Sequence, residues 1–162
     1  MRLRLHLATL AAALIASAAC SDDDSSPSER ADAAVAAGDF ERFRLSSAAG
    51  PCLDDMDCAG FIELGADRVL LVDRFGELPV VVHEAEVTPG ELAEAALVLT
   101  DRDLVALLDL DEPPCLPPSD VFEQMQLVAA GREHANDTTF CEDAPLEAAR
   151  AALDQLVAAH IP

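Results

Sequence analysis

Tryptophan, tyrosine and lysine are absent from the 162 residues, which leaves six Phe as the large aromatics. Flat rings that stack on sugars or bases are therefore scarce, and this disfavours a carbohydrate- or peptidoglycan-binding platform and a single-strand nucleic-acid platform. Positive charge is equally thin: ten Arg stand against 31 Asp and Glu, for a formal net charge of −21. A chain of this kind has no basic groove for phosphates, and its field repels nucleic acid while keeping the protein soluble. There is no internal repeat, no glycine-rich phosphate loop and no Ser in a nucleophile-elbow context. No apolar run reaches the ~20 residues that span a bilayer.

What is present begins with Arg2 and Arg4, followed by an apolar run over residues 5–16. A positive start and a run of that length read as a secretory signal, too short for a ~30 Å hydrocarbon core. The run ends in Leu14-Ile15-Ala16-Ser17-Ala18-Ala19-Cys20, with small residues just before a cysteine. This stretch resembles the lipobox of bacterial lipoproteins. The resemblance implies that residues 1–19 are a signal peptide and that Cys20 becomes an acylated first residue held in a lipid bilayer. Several acyl chains make such an anchor stable where a single one is marginal. In lipoproteins of enteric bacteria an Asp after the cysteine favours the inner membrane; Ser21 stands there, so the implied place is the outer membrane of the cell envelope. Ser17-Ala18-Ala19 also fits an ordinary cleavage site, in which case the protein is secreted.

The five cysteines favour the anchor, because an odd cysteine in an exported chain needs a role. Acylation of Cys20 leaves Cys52, Cys58, Cys115 and Cys141 for two disulfides. Of the three pairings open to four cysteines, Cys52 with Cys58 and Cys115 with Cys141 are expected, since each pair flanks one hairpin-like excursion. Without residues 1–19 the chain keeps 8 Arg against 31 acids, a formal charge of about −23. Residues 20–38, opening Cys20-Ser21-Asp22-Asp23-Asp24, are too polar and acidic to offset their ordering entropy and read as a disordered tether. Residues 39–162 are the usual size of one domain.

Within that domain, residues 40–47 alternate Phe43, Leu45 and Ser47 with Arg42 and Arg44, a half-buried strand. Residues 59–64, 69–75 and 79–87 predict three more strands, joined by turns at Gly65-Ala66-Asp67 and Gly76-Glu77-Leu78, in a four-stranded antiparallel meander. Thr88-Pro89-Gly90-Glu91 starts a helix: Thr88 as N-cap, Pro89 where a missing N–H costs nothing, Glu91 closing the capping box. Leu92, Ala96 and Leu99 form its apolar stripe. The sequence Thr100-Asp101-Arg102-Asp103 starts a second, short helix carrying Leu104, Leu107 and Leu108.

Four prolines at 113, 114, 117 and 118 exclude helix and central strand around Cys115. Residues 121–129 alternate as a fifth strand, Gly131 turns the chain, and residues 134–140 return as a polar sixth strand at a sheet edge. Asp143 and Pro145 open a last helix with Leu146, Ala149, Leu153, Leu156, Val157 and His160 on one face, and with Arg150 paired to Glu147 and Asp154 on the outer side. The fold class is α+β: an antiparallel sheet of about six strands in meander and hairpin order, two or three helices on one face, and two disulfides. This order resembles an uncharacterised domain of exported bacterial proteins, on the strength of Cys52, Gly65-Ala66-Asp67, the cap from Thr88 to Glu91, Leu107-Leu108 and Cys115. The resemblance implies an architecture and no activity.

Chemistry is sparsely signalled. His83 and His134 would have to converge with a carboxylate to hold zinc, and nothing in their spacing requires it. Asp54, Asp55 and Asp57 form an acidic loop, but the EF-hand pattern of glycine and closing glutamate is missing, so it reads as a solvated turn without a metal. Oxidised cysteines make no nucleophile. The expectation is a non-catalytic interaction domain in the cell envelope, without cofactor and with an envelope protein as partner. The alternative is a small metal-dependent hydrolase with a site near His83 and His134.

Overall fold

A computed structural model describes residues 36–50, 57–76, 78–115 and 120–162. After a single 3-10 turn at Ala37–Asp39, β1 (Phe40–Ala49) lies at the middle of a six-stranded antiparallel sheet. On one side follow β2 (Ala59–Gly65), β3 (Val69–Asp73) and β4 (Val82–Glu86); on the other lie β5 (Val121–Ala129) and β6 (Arg132–Asp137), giving the order β4-β3-β2-β1-β5-β6. The first four strands are the expected meander. The last two form a hairpin that returns to β1, since a central strand with unpaired N–H and C=O groups on one side would leave the core open.

The pleat of β1 sets the inside of the molecule. Phe43 and Leu45 pair with Leu64 and Ile62 on β2 and with Leu127 and Met125 on β5, all on one face of the sheet. A bulge between Phe40 and Arg42 in the pairing with β5 changes the parity, so Phe40 and Phe43, three residues apart, both bury. Leu70 and Val72 extend this face on β3. Each such side chain removed from water contributes about 1.5–3 kcal/mol. Gly60 at the start of β2 has no room for a side chain: a Cβ there would sit 2.7 Å from Phe75 N and 2.8 Å from Asp73 O.

Three helices cover that face. Helix α1 (Pro89–Leu99) begins with the expected capping box, Thr88 Oγ1 accepting from Glu91 N at 3.3 Å and Glu91 Oε2 accepting from Thr88 N at 2.8 Å. It buries Ala95, Ala96 and Leu99. Helix α2 (Arg102–Leu108) is capped by Asp101, whose carboxylate accepts from Asp103 N and Leu104 N, and it buries Leu104, Val105 and Leu108. Helix α3 (Ala144–His160) buries Leu146, Ala149, Leu153 and Leu156, as their spacing requires; its N-cap Asp143 makes no side-chain capping bond. Among the described residues no helix is long and apolar enough to cross a membrane.

Three expectations change. Strand β4 begins at Val82 and not at Pro79, so residues 78–81 stand outside the ladder. The sixth strand is polar and at an edge as expected, but it spans Arg132–Asp137 and not residues 134–140, and it buries His134 and Asn136 on the helix side. Arg150 also points inward, bonded to Glu123 on β5. One of the two expected disulfides, Cys115–Cys141, is complete among the described residues, with a Cα–Cα distance of 5.5 Å. Cys52, and with it the expected Cys52–Cys58 pair, lies outside the described residues, as do residues 1–35 with Cys20.

Candidate functional site

His83 and His134 do not meet. His83 lies on edge strand β4 and His134 on the opposite edge strand β6, five strand steps apart, on the order of 24 Å across the sheet. A shared metal centre would need ligands within about 2 Å of one ion. The hydrolase alternative therefore loses its proposed centre.

His134 is 1% exposed and serves the fold. Its Nδ1 lies 2.8 Å from Asp109 Oδ1, and since the carboxylate only accepts, the proton sits on Nδ1. Asp109 Oδ2 accepts from Arg132 at 3.0 Å. Beside them Asn136 donates to the carbonyls of Leu107 and Leu110, so β6 grips the end of α2 through two side chains. His134 Nε2 is buried without a hydrogen-bond partner among the described residues, at a cost of about 1–3 kcal/mol. No substrate reaches it there.

The sulfurs of Cys115 and Cys141 and a carboxylate oxygen of Asp143 lie within 4.8 Å of one another. The two sulfurs are joined in a disulfide, so they supply no thiolate for a metal. In the acidic loop only Asp57 falls among the described residues, and its Oδ1 accepts from Ala59 N at 3.2 Å in a local turn.

Arg150 is the most heavily bonded cation. It donates to both oxygens of Glu123, to Glu147 Oε1, and to the carbonyls of Thr138 and Cys141 at 2.8–2.9 Å. Burial by itself would lower its pKa, but the hydrogen bonds and charges of Glu123 and Glu147 more than offset that and raise it above the ordinary value. All five guanidinium N–H groups are occupied, which leaves none for a ligand carboxylate or phosphate. The signal for this residue was in the chain: Arg150 follows Leu146 by four and precedes Leu153 by three, both on the buried stripe of α3.

Glu91 joins α1 to the end of α3. Besides its capping bond it accepts from or shares a proton with His160 Nε2 at 3.0 Å. The Thr88 backbone N–H first, then the Thr88 hydroxyl and His160, hold its pKa at about 2, below the usual 4.5. A depressed carboxyl stabilises the fold above its unfolded pKa and loses that contribution as pH falls toward the folded value. Thermal melts are thus expected to show a stability decline between pH 4.5 and about 2 that becomes shallower in Glu91→Gln, together with a lower melting temperature at pH 7.

The surface that remains is apolar and lies at one sheet edge. Of ten large hydrophobic side chains exposed among the described residues, five fall within one short segment: Phe75, Leu78, Val80, Val81 and Val82, each 40–56% exposed. A groove of about 250 Å³ that mixes apolar side chains such as Phe61, Val72 and Phe75 with Asp73, Arg74 and Glu123 opens next to them. On the sheet face away from the helices Arg44 lies 3.9 Å over the Phe61 ring and bonds Glu63 at 3.0 Å, so this cation too is engaged. The sequence pattern predicts one strand over residues 79–87; residues 78–81 instead lie in the connection before β4, which leaves their side chains exposed. No protein-family model matches this chain, and no curated protein matches it.

Proposed function

We propose that this protein is a bacterial envelope lipoprotein, anchored through acylated Cys20, whose folded domain acts by binding another protein and not by catalysis. The observation that carries the binding reading is the exposed apolar segment Phe75, Leu78, Val80, Val81 and Val82, since contiguous apolar surface rimmed by polar residues marks interaction sites. The anchoring reading is supported by the signal-like residues 1–19, the small residues before Cys20 and the odd cysteine count. The outer membrane, a tether over residues 20–38, the likeness to an uncharacterised family of exported proteins and the Cys52–Cys58 disulfide belong to the same proposal. An acidic domain on a flexible tether would meet basic patches of a partner with salt-sensitive association.

Four measurements test it. Cells fed a labelled fatty acid are expected to label the protein and to hold it in the membrane fraction, while Cys20→Ala is unlabelled and essentially all soluble. An unlabelled wild type would end the lipoprotein reading. Crosslinking in intact cells followed by mass spectrometry is expected to return a recurrent envelope protein joined near residues 75–86. A broad hydrolase screen that finds turnover in the purified chain, with no crosslinked partner, would replace binding by catalysis. Non-reducing peptide mapping that joins Cys52 to any cysteine other than Cys58 would overturn that pairing.

A further inference from the structure

We infer that the free edge of β4 takes an extended segment of a partner protein as a seventh strand, and that this segment alternates basic and apolar residues. The inference rests on the binding reading and gives it a place and a chemistry. Among the described residues β4 pairs only with β3, so one row of its N–H and C=O groups faces outward. The other edge strand, β6, also pairs on one side only among the described residues; it differs in its side chains, with Asn136 and His134 bonded to the end of α2 and the segment after it. Sheet edges are templates for strand addition, and the charges on this one, Glu84 and Glu86, discourage any added strand except one that carries the opposite charge.

The side chains beside the β4 edge define the occupant. Val82, Glu84 and Glu86 are exposed, opposite Asp73, Leu71 and Val69 on the sheet face away from the helices. Ala85 lies on the helix side, packed against the core, with His83 in the same row. A strand laid along β4 would set alternate residues against Glu84 and Glu86 and the intervening ones against His83 and Ala85. The first set is matched by Lys or Arg, the second by small or apolar side chains. Glu86 already meets Arg68, so Glu84 carries the larger share of the complementarity. Upstream, Leu78, Val80 and Val81 extend the edge with apolar surface.

A second copy fits less well. Antiparallel pairing of two β4 strands with Val82 opposite Glu86 sets Glu84 against Glu84, and like charges directly opposite are destabilising. Each molecule also carries a formal charge of −21. The occupant is therefore a basic, extended segment from a different protein.

The test uses the full chain and a synthetic peptide of four Lys-Val repeats, with the same peptide N-methylated at alternate residues and a Glu-Val peptide as controls. The Lys-Val peptide is expected to bind, to protect backbone amides in residues 80–86 from hydrogen exchange, and to weaken as salt rises. N-methylation keeps its charge but removes ladder donors, and should abolish binding. Glu84→Lys, an exposed site that leaves folding intact, should weaken Lys-Val binding up to roughly tenfold and create affinity for the Glu-Val peptide. Protection elsewhere, or equal binding of the N-methylated peptide, would overturn the edge site while leaving the binding reading to the crosslinking experiment. Protection of residues 80–86 in concentrated protein alone, with dimers in sedimentation, would give the edge to a second copy and overturn the inference. No binding of any peptide would overturn it as well.

Discussion

Arg150→Ala is expected to remove about 3 kcal/mol of stability, the low end of the cost of breaking a buried ion pair from one side, because both side chains keep about a fifth of their surface in water. The total stability of a domain is about 5–15 kcal/mol, so the variant should melt roughly 10 °C or more below the parent. The size follows from what is stranded. Glu123, itself mostly buried, loses its counter-charge, and the carbonyls of Thr138 and Cys141 lose their donor. Thr138 Oγ1 still donates to Glu123 Oε1 at 2.8 Å, which is one bond where the carboxylate had several. Arg150→Lys should rescue little, because an ammonium on a flexible stem cannot reach a carboxylate and two carbonyls in one plane. The double variant Arg150→Met with Glu123→Gln removes both charges and should lose less than the sum of the single changes. Urea titrations of the four proteins close the cycle, and additive losses would show that the two residues act independently.

Loss of the Cys115–Cys141 disulfide comes second. The bond closes a loop with a sequence separation of 26 that contains the whole β5–β6 hairpin. By chain entropy it contributes about 3.5 kcal/mol. Replacing both cysteines by Ala, or reducing the protein, should lower the denaturation midpoint accordingly; alanine avoids leaving a hydroxyl at Cys141, which is buried. The two predictions are linked, because the Cys141 carbonyl is one of the Arg150 acceptors. Combining the cysteine changes with Arg150→Ala should therefore cost less than their sum. A disulfide-free protein with an unchanged midpoint would mean that Arg150 and the packing around it already hold the hairpin in place.

The first prediction concerns contacts that residue spacing does not reveal. The strand over Phe43 and Leu45, the capping box of Thr88 and Glu91, the cap at Asp101 and the buried stripe of α3 were legible in the chain. Each depends on residues a few positions apart: a pleat of period two, a helix of period 3.6, or an oxygen within reach of an N–H three residues on. The Cys115–Cys141 pair was legible for a related reason, as its cysteines flank one hairpin.

The candidate site was not legible, because its features depend on where strands lie in the finished sheet. His83 and His134 look equally available in the sequence, yet closing the sheet around β1 sends them to opposite edges. The run from Leu78 to Val82 has the composition of a buried strand, but all of it except Val82 lies in the connection before β4 and stays exposed. Arg150 has ordinary helical partners within four residues, but the docking of α3 over β5 brings Glu123, 27 positions away, within 2.6 Å. The sequence by itself determined the helices, most of the strands and the buried stripes of β1 and α3, because periodicity and caps are local. Tertiary structure decided which strands lie at the sheet edges and which charges turn inward, because those follow from chain closure over long separations.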